Sequence, residues 1–293
     1  MTLLRAIKRG VMSLGKSLIL RLSSAYLRAF KDETLSRSLL DLETNLRRAP
    51  DQNARLEGLL DAPIRYLDVG ARGGISGFLS HYRKFLKPYM VEPDPVEAAR
   101  LRESGYSVID KALDEKSGKV TLNITRKGGC SSLLTPDGQL LPYYKGESDR
   151  FDVVKRVELD ATTIGAVVKA DSADFDLLKV DTQGSELAIL KGLGESRPLF
   201  IITEASFGEL YGGQSTIFDI AQHLKPMGYM VWDLCYGLHP VPGGAKKFTR
   251  FRPMASGLPL HGDACFMPKW TSPEGYALIK GNDRKWAELM LIF

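Results

Sequence analysis

Four acids stand where an apolar run gives way to a polar turn: Asp68, Glu92, Asp181 and Glu204. In an open parallel sheet the carboxyl ends of the strands face the ligand crevice. A carboxylate there can accept the hydroxyl hydrogens of a sugar diol, take a proton from a reacting hydroxyl, or hold a cation. Asp68 is followed at once by Gly70, Ala71, Arg72, Gly73 and Gly74, a turn with few side chains to keep a ligand from the backbone. Glu92, with Pro93 after it, comes about 20 residues later at the end of a second apolar run, the position from which a carboxylate reaches both hydroxyls of a ribose. Asp110 closes a third run and can meet an adenine amino group, with Ala112 leaving room for the flat ring.

Asp181 and Glu204 end two further runs, Phe175 to Val180 and Pro198 to Thr203. Either can act as base towards a hydroxyl or orient it, and together they can instead hold a divalent cation such as Mg²⁺, which prefers oxygen ligands. Asp181 can also serve the cofactor alone. His261, in a long stretch rich in Gly and Pro between Leu234 and Ala264, is a third candidate base. A loop of that length inside a compact domain reads as a lid over a site.

The elements that must position these groups alternate. Apolar runs at 64–69, 89–91, 106–113, 175–180, 198–204 and 229–234 are separated by helical stretches at 75–86, 96–103, 186–191 and 215–226. Gly184 turns the chain after Asp181, and Gly192 closes the short helix that follows. This order predicts an α/β domain with a mostly parallel sheet and helices on both faces. Two alternating runs, Val120 to Ile124 and Asp152 to Leu159, flank the Gly128 to Leu134 loop and read as an insertion that closes one edge of the site. Residues 276–293 read as a closing helix.

The chain of 293 residues is long enough for a sizeable core. Its formal net charge of +5 is too small for a nucleic-acid footprint. Cys130, Cys235 and Cys265 lie far apart and form neither a disulfide framework nor a zinc pattern, which suits a reducing, cytoplasmic setting. Residues 1–60 read as a basic helical arm and 61–293 as the catalytic domain. Within 1–31, Leu4, Ile7, Val11, Leu14 and Leu18 recur at helical spacing among Arg5, Lys8, Arg9 and Lys16. That pattern suits a peripheral membrane contact, a transit peptide, or a helix packed on the domain or on a second subunit.

The turn after Asp68 fails the dinucleotide fingerprint, because Arg72 occupies the place of its second glycine. The spacing Asp68, Gly70, Gly74 resembles instead the first motif of class I S-adenosylmethionine (SAM) methyltransferases. With Val91-Glu92-Pro93-Asp94-Pro95, Lys111-Ala112-Leu113, Ser131-Ser132-Leu133 and the run Lys179 to Leu187 followed by Leu190-Lys191-Gly192, the sequence over about 64–268 resembles the FkbM family of SAM-dependent methyltransferases. Arg72 stands where that family commonly has Asn, and Gln183 where it often has Glu. The resemblance implies a class I, Rossmann-like fold. It also implies SAM as cofactor, against Asp68, Gly70, Arg72, Gly74, Glu92, Pro93, Asp110 and Ala112. The implied reaction is methylation of a hydroxyl on a sugar, glycan or other secondary metabolite. The competing readings are a dinucleotide-dependent oxidoreductase and a catalytically silent, membrane-peripheral module on the same fold.

Overall fold

The structure, a computed structural model, describes residues 57, 60, 62–75, 77–139, 141, 148–172, 174–239 and 258–293. The expected N-terminal arm and its membrane contact lie almost entirely outside the described residues, as does the 240–257 part of the expected lid. Two compact units are present, Ile64–Leu278 and a second comprising Met1–Pro63 with Ile279–Phe293. Among the described residues no helix is long and apolar enough to cross a membrane.

In chain order the strands are β1 (Ile64–Val69), β2 (Leu86–Val91), β3 (Ser107–Ile109), β4 (Ala112–Leu113), β5 (Gly118–Thr125), β6 (Val153–Thr162), β7 (Leu177–Val180), β8 (Phe200–Ser206), β9 (Tyr229–His239) and β10 (Leu258–Pro268). The α-helices are α1 (Pro95–Glu103), α2 (Ile164–Asp171), α3 (Glu186–Lys191), α4 (Ile217–Leu224), α5 (Pro273–Gly281) and α6 (Asp283–Leu289). The main sheet has the order β3-β2-β1-β7-β8-β10-β9. It is parallel from β3 to β8 and antiparallel at β10 and β9. The chain winds outward from β1 to β3 and then returns to β7 on the other side, so the switch point lies between β1 and β7. The predicted insertion is a separate sheet, β4-β6-β5.

The apolar runs are buried on both faces, as central parallel strands require. Leu67, Val69, Val91, Val180, Ile201 and Ala205 face a large core that also takes Ile164 of α2, Ile189 and Leu190 of α3, and Ile217, Ile220 and Leu224 of α4. Met90 points the opposite way from Val91 and packs with Leu101 of α1. Helices therefore cover both faces.

The turn after β1 packs closely against β2 and β7. The amides of Gly70 and Ala71 both donate to the Val91 carbonyl, at 3.0 and 3.1 Å, and the Asp181 amide donates to the Val69 carbonyl at 2.9 Å. Gly70 has φ +82, and a Cβ there would lie 1.9 Å from the Asp181 carbonyl oxygen.

Several boundaries differ from the sequence reading. The expected helix over 75–86 is a 3-10 run, Gly77–Phe85, and β2 already begins at Leu86. Pro88 is tolerated in that strand because β3 pairs only with residues 89–91, so β2 has a single neighbour at Pro88. The strands β9 and β10 are longer than expected and pair as a hairpin, which places His261 on a strand opposite Ser206, where a loop was expected. The expected C-terminal helix is two, broken at Asn282. In the smaller unit the buried Glu288 is held by Arg284 at 3.2 Å and Lys285 at 2.7 Å, and Lys285 also donates to the Ala62 carbonyl.

Gly70→Ala combines a positive φ with a backbone clash. It is expected to lower the free energy of unfolding by about 2 kcal/mol or more. Urea denaturation checks this, and an unchanged midpoint would contradict the close approach.

Candidate active site

Strand register decides which side chains meet. Asp68 is paired with Lys179 across β1 and β7, Lys179 with Ile202 across β7 and β8, and Glu204 with Asp263 across β8 and β10. Since Leu67, Val69, Val180, Ile201 and Ala205 face the large core, alternation puts Asp68, Lys179, Glu204 and Asp263 on the other face, with Asp181 just past the end of β7. One rim of the sheet thus collects carboxyl groups around a single lysine.

Lys179 lies 3.4 Å from the Asp68 carboxylate and 3.3 Å from that of Asp181. Burial alone would lower its pKa, but the two carboxylates outweigh that effect and the net shift is upward. The Tyr66 hydroxyl, two residues back on the same face, donates to Asp68 at 2.7 Å. Burial raises the Asp68 pKa against the opposing pull of Lys179 and Tyr66.

The turn after Asp181 is tied down by Glu186, whose side chain is buried. Its carboxylate accepts from the Thr182 amide at 2.8 Å, the Thr182 hydroxyl at 3.1 Å and the Gly184 amide at 2.9 Å. Gln183, between them, has φ 59, a left-handed conformation uncommon for a residue with a side chain. Its side-chain amide donates to Asp181 at 3.3 Å and to Glu204 at 3.0 Å. Burial pushes the Glu204 carboxyl well above the usual range, and the neighbouring charges of Glu186 and Asp181 add to that. The same causes, burial first and then Asp181, raise Asp263.

The insertion clamps onto this turn. Ser132 exchanges backbone hydrogen bonds with Asn123 of β5 at 2.8 and 3.2 Å, and its hydroxyl donates to the Gln183 carbonyl at 2.7 Å. The Tyr211 hydroxyl donates to the Cys130 carbonyl at 2.8 Å and lies 3.4 Å from the Gln183 side-chain oxygen.

Two cavities meet here. The first, about 260 Å³, lies at the β1–β7 switch point and is lined by Gly70, Arg72, Glu92, Pro93, Ala112 and Asp181, with Ser131 and Ser132 from the insertion. The Asp94 amide donates to one oxygen of Glu92 at 2.9 Å, and Arg72 is anchored to Asp94 at 2.7 Å while its guanidinium lies against Gly128. The second cavity, about 390 Å³, is lined by Glu204 and His261 with Lys127, Arg150, Phe151 and Leu260. Gln183 lines both.

Three residues expected at the cofactor do not line the first cavity. Asp68 is buried against Tyr66 and Lys179. Gly74 faces the Tyr106 ring. Asp110 is exposed and paired with Arg102 at 2.8 Å, because the chain has already left the sheet there. Among the described residues no group of three or more His, Cys, Asp or Glu is arranged to hold a metal ion. Lys179, Glu186 and Asp263 were not assigned roles from the sequence. The signal for Lys179 was present, as a cation inside a buried strand between acids.

A doubly wound sheet with acids and a glycine turn at its switch point defines a Rossmann-like α/β protein with a ligand crevice. The model of the Methyltransferase FkbM domain matches residues 68–231, and the chain belongs to that family. Comparison with curated proteins gave no match. Among solved structures it is similar to magnesium protoporphyrin IX methyltransferase from Synechocystis PCC 6803 with bound SAM. The identity is 9%, over 81% of this chain and 79% of that one, with a TM-score of 0.36. It is also similar to the 1,6-didemethyltoxoflavin-N1-methyltransferase of Burkholderia thailandensis, at 15% identity over 87% and 89% of the two chains, with a TM-score of 0.32.

The raised Glu204 carboxyl fixes a pH effect. The unfolded chain ionises this group near its ordinary value of 4.5, whereas burial raises its pKa well above that in the folded chain. Stability from this group is therefore fully present below that pH and is lost as pH rises towards the folded pKa. Glu204→Gln removes the loss, so the variant should exceed wild type in stability at pH 8, with the gap closing at about pH 4. Urea denaturation at the two pH values checks this, and a gap independent of pH would contradict it.

Proposed function

We propose that this chain is a SAM-dependent O-methyltransferase that acts on a hydroxyl of a sugar, glycan or other secondary metabolite. The observation that carries the reading is Gln183, a common wall of the two cavities, which holds Asp181 against the first and Glu204 against the second. A donor and an acceptor in adjoining cavities can meet at that wall.

The first cavity suits SAM on its donor set. One Glu92 oxygen is held by the Asp94 amide and the other has no hydrogen bond among the described residues, so it is available to a ribose hydroxyl. Ala112, Leu113 and Leu122 offer an apolar wall to a flat ring. Gly70 lines the cavity with backbone alone, and the carboxylates of Glu92 and Asp181 suit a cationic sulfonium. When bound, SAM supplies an electrophilic methyl group that needs no further activation. The protein's work is then positioning and removal of a proton. Asp181, steadied by Lys179 and Gln183, takes the proton of the acceptor hydroxyl as its oxygen becomes nucleophilic. Glu204, held by the Gln183 amide at 3.0 Å, orients the acceptor against the shared wall. His261 also lines the acceptor cavity.

Transfer of a tritiated methyl group from SAM to a panel of sugars and hydroxylated metabolites tests the reading. Asp181→Asn should lower kcat about 100-fold while leaving the affinity for S-adenosylhomocysteine nearly unchanged. Transfer that proceeds at the wild-type rate in this variant would remove Asp181 from the chemistry.

A further inference from the structure

We propose that Ser185 receives the adenine ring of SAM, its hydroxyl oxygen accepting a hydrogen bond from the 6-amino group of the ring in the first cavity. This deepens the methyltransferase reading and rests on it.

Four residues that line the first cavity carry a hydroxyl: Ser131, Ser132, Thr182 and Ser185. Three of these are committed. Ser131 accepts from the Thr125 amide at 3.1 Å, Ser132 donates to the Gln183 carbonyl at 2.7 Å, and Thr182 donates to Glu186 at 3.1 Å. Ser185 differs, since it is only 4% exposed and its hydroxyl is buried with no hydrogen-bond partner. Its place in the chain makes that unexpected. It immediately precedes α3, where a serine ordinarily accepts from a backbone amide of the first turn, and its side chain makes no such bond. Glu186, not Ser185, receives the Thr182 and Gly184 amides of the preceding turn. A buried hydroxyl without a partner costs stability, so one that stands idle in the wall of a ligand space points to the ligand.

The helix decides which part of the ligand Ser185 meets. Ile189 comes four residues later, so the two side chains share one face of α3, and Ile189 packs in the same core cluster as Leu113. Ala112, Leu113, Leu122 and Ile189 make the apolar stretch of the cavity lining, which is the wall suited to a flat ring. Ser185 therefore stands at the ring end. An adenine bound there brings a 6-amino group, which only donates, into a stretch whose other side chains are apolar. Asp110, the acceptor expected from the sequence, is exposed, paired with Arg102 and not part of the lining. A serine oxygen accepts in its place. The side chain turns between three staggered wells, so the hydroxyl can swing to the cavity wall with the backbone unmoved.

The test is calorimetric titration of the full-length wild-type chain and of Ser185→Ala with S-adenosylhomocysteine, then competition by adenosine and by purine riboside, which carries hydrogen in place of the 6-amino group. The expected result is binding of S-adenosylhomocysteine weakened about fivefold in Ser185→Ala. Adenosine should outcompete purine riboside by about the same factor in the wild type and lose that advantage in the variant. Urea denaturation without ligand separates the contact from a structural role. Removing an idle hydroxyl should leave the midpoint at or above that of the wild type, whereas loss of a helix cap would lower it. Equal affinity for S-adenosylhomocysteine in the two chains, an adenosine preference that survives in Ser185→Ala, or a lowered midpoint overturns the proposal. Failure of the methyltransferase reading shows separately, as a folded wild-type chain that binds none of the three ligands, and removes both.

Discussion

Negative charge crowded onto one rim of a sheet is the constraint on which the rest of this structure depends. Asp68, Asp181, Glu186, Glu204 and Asp263 lie close enough to perturb one another. Like charges at such distances inside a protein cannot all ionise without compensation. The fold supplies three kinds. Lys179 sits between Asp68 and Asp181 and offsets part of their charge, backbone amides of the 182–184 turn satisfy Glu186, and burial holds the Glu204 pKa well above its ordinary value. Each device also holds something in place: Lys179 fixes Asp181, Glu186 fixes the turn, and Glu204 holds one end of Gln183.

That turn is what divides the crevice. Because Gln183 adopts a left-handed backbone, its side chain reaches both Asp181 and Glu204, and its carbonyl receives the Ser132 hydroxyl of the insertion. The small β4-β6-β5 sheet therefore closes the edge of the site and fixes the wall between two ligand spaces. The first cavity carries Glu92 and Asp181 with Arg72, and the second carries Glu204 with Lys127, Arg150 and His261.

Much of this was legible in the amino-acid order. Runs such as Ile64 to Val69 and Phe175 to Val180 end in an acid and a glycine turn, and that pattern carries both the strand and its role at the switch point. Glu92, Ala112 and the Gly192 helix end follow from the same logic. The direction of Asp68 was not legible. A strand buried on both faces is apolar throughout, so its sequence does not reveal which side chains share a face with Lys179. Register settles that, and register between β1 and β7 depends on residues more than a hundred positions apart. His261 was misplaced for a different reason: Gly237, Pro259 and Gly262 disguise the ends of the β9–β10 hairpin as loop. Asp110 is exposed and paired with Arg102, and an acid after a short edge strand looks the same in sequence whether it faces the crevice or solvent.

The central claim is that Glu92 and the Gly70 turn form a SAM site in the first cavity. Calorimetric titration of the wild-type chain with S-adenosylhomocysteine, beside Glu92→Ala, tests it most directly. The account predicts micromolar binding in the wild type and a loss of about tenfold or more when the carboxylate that receives the ribose is removed. A folded wild-type chain that binds no S-adenosylhomocysteine, or a variant that binds it equally well, would contradict the account.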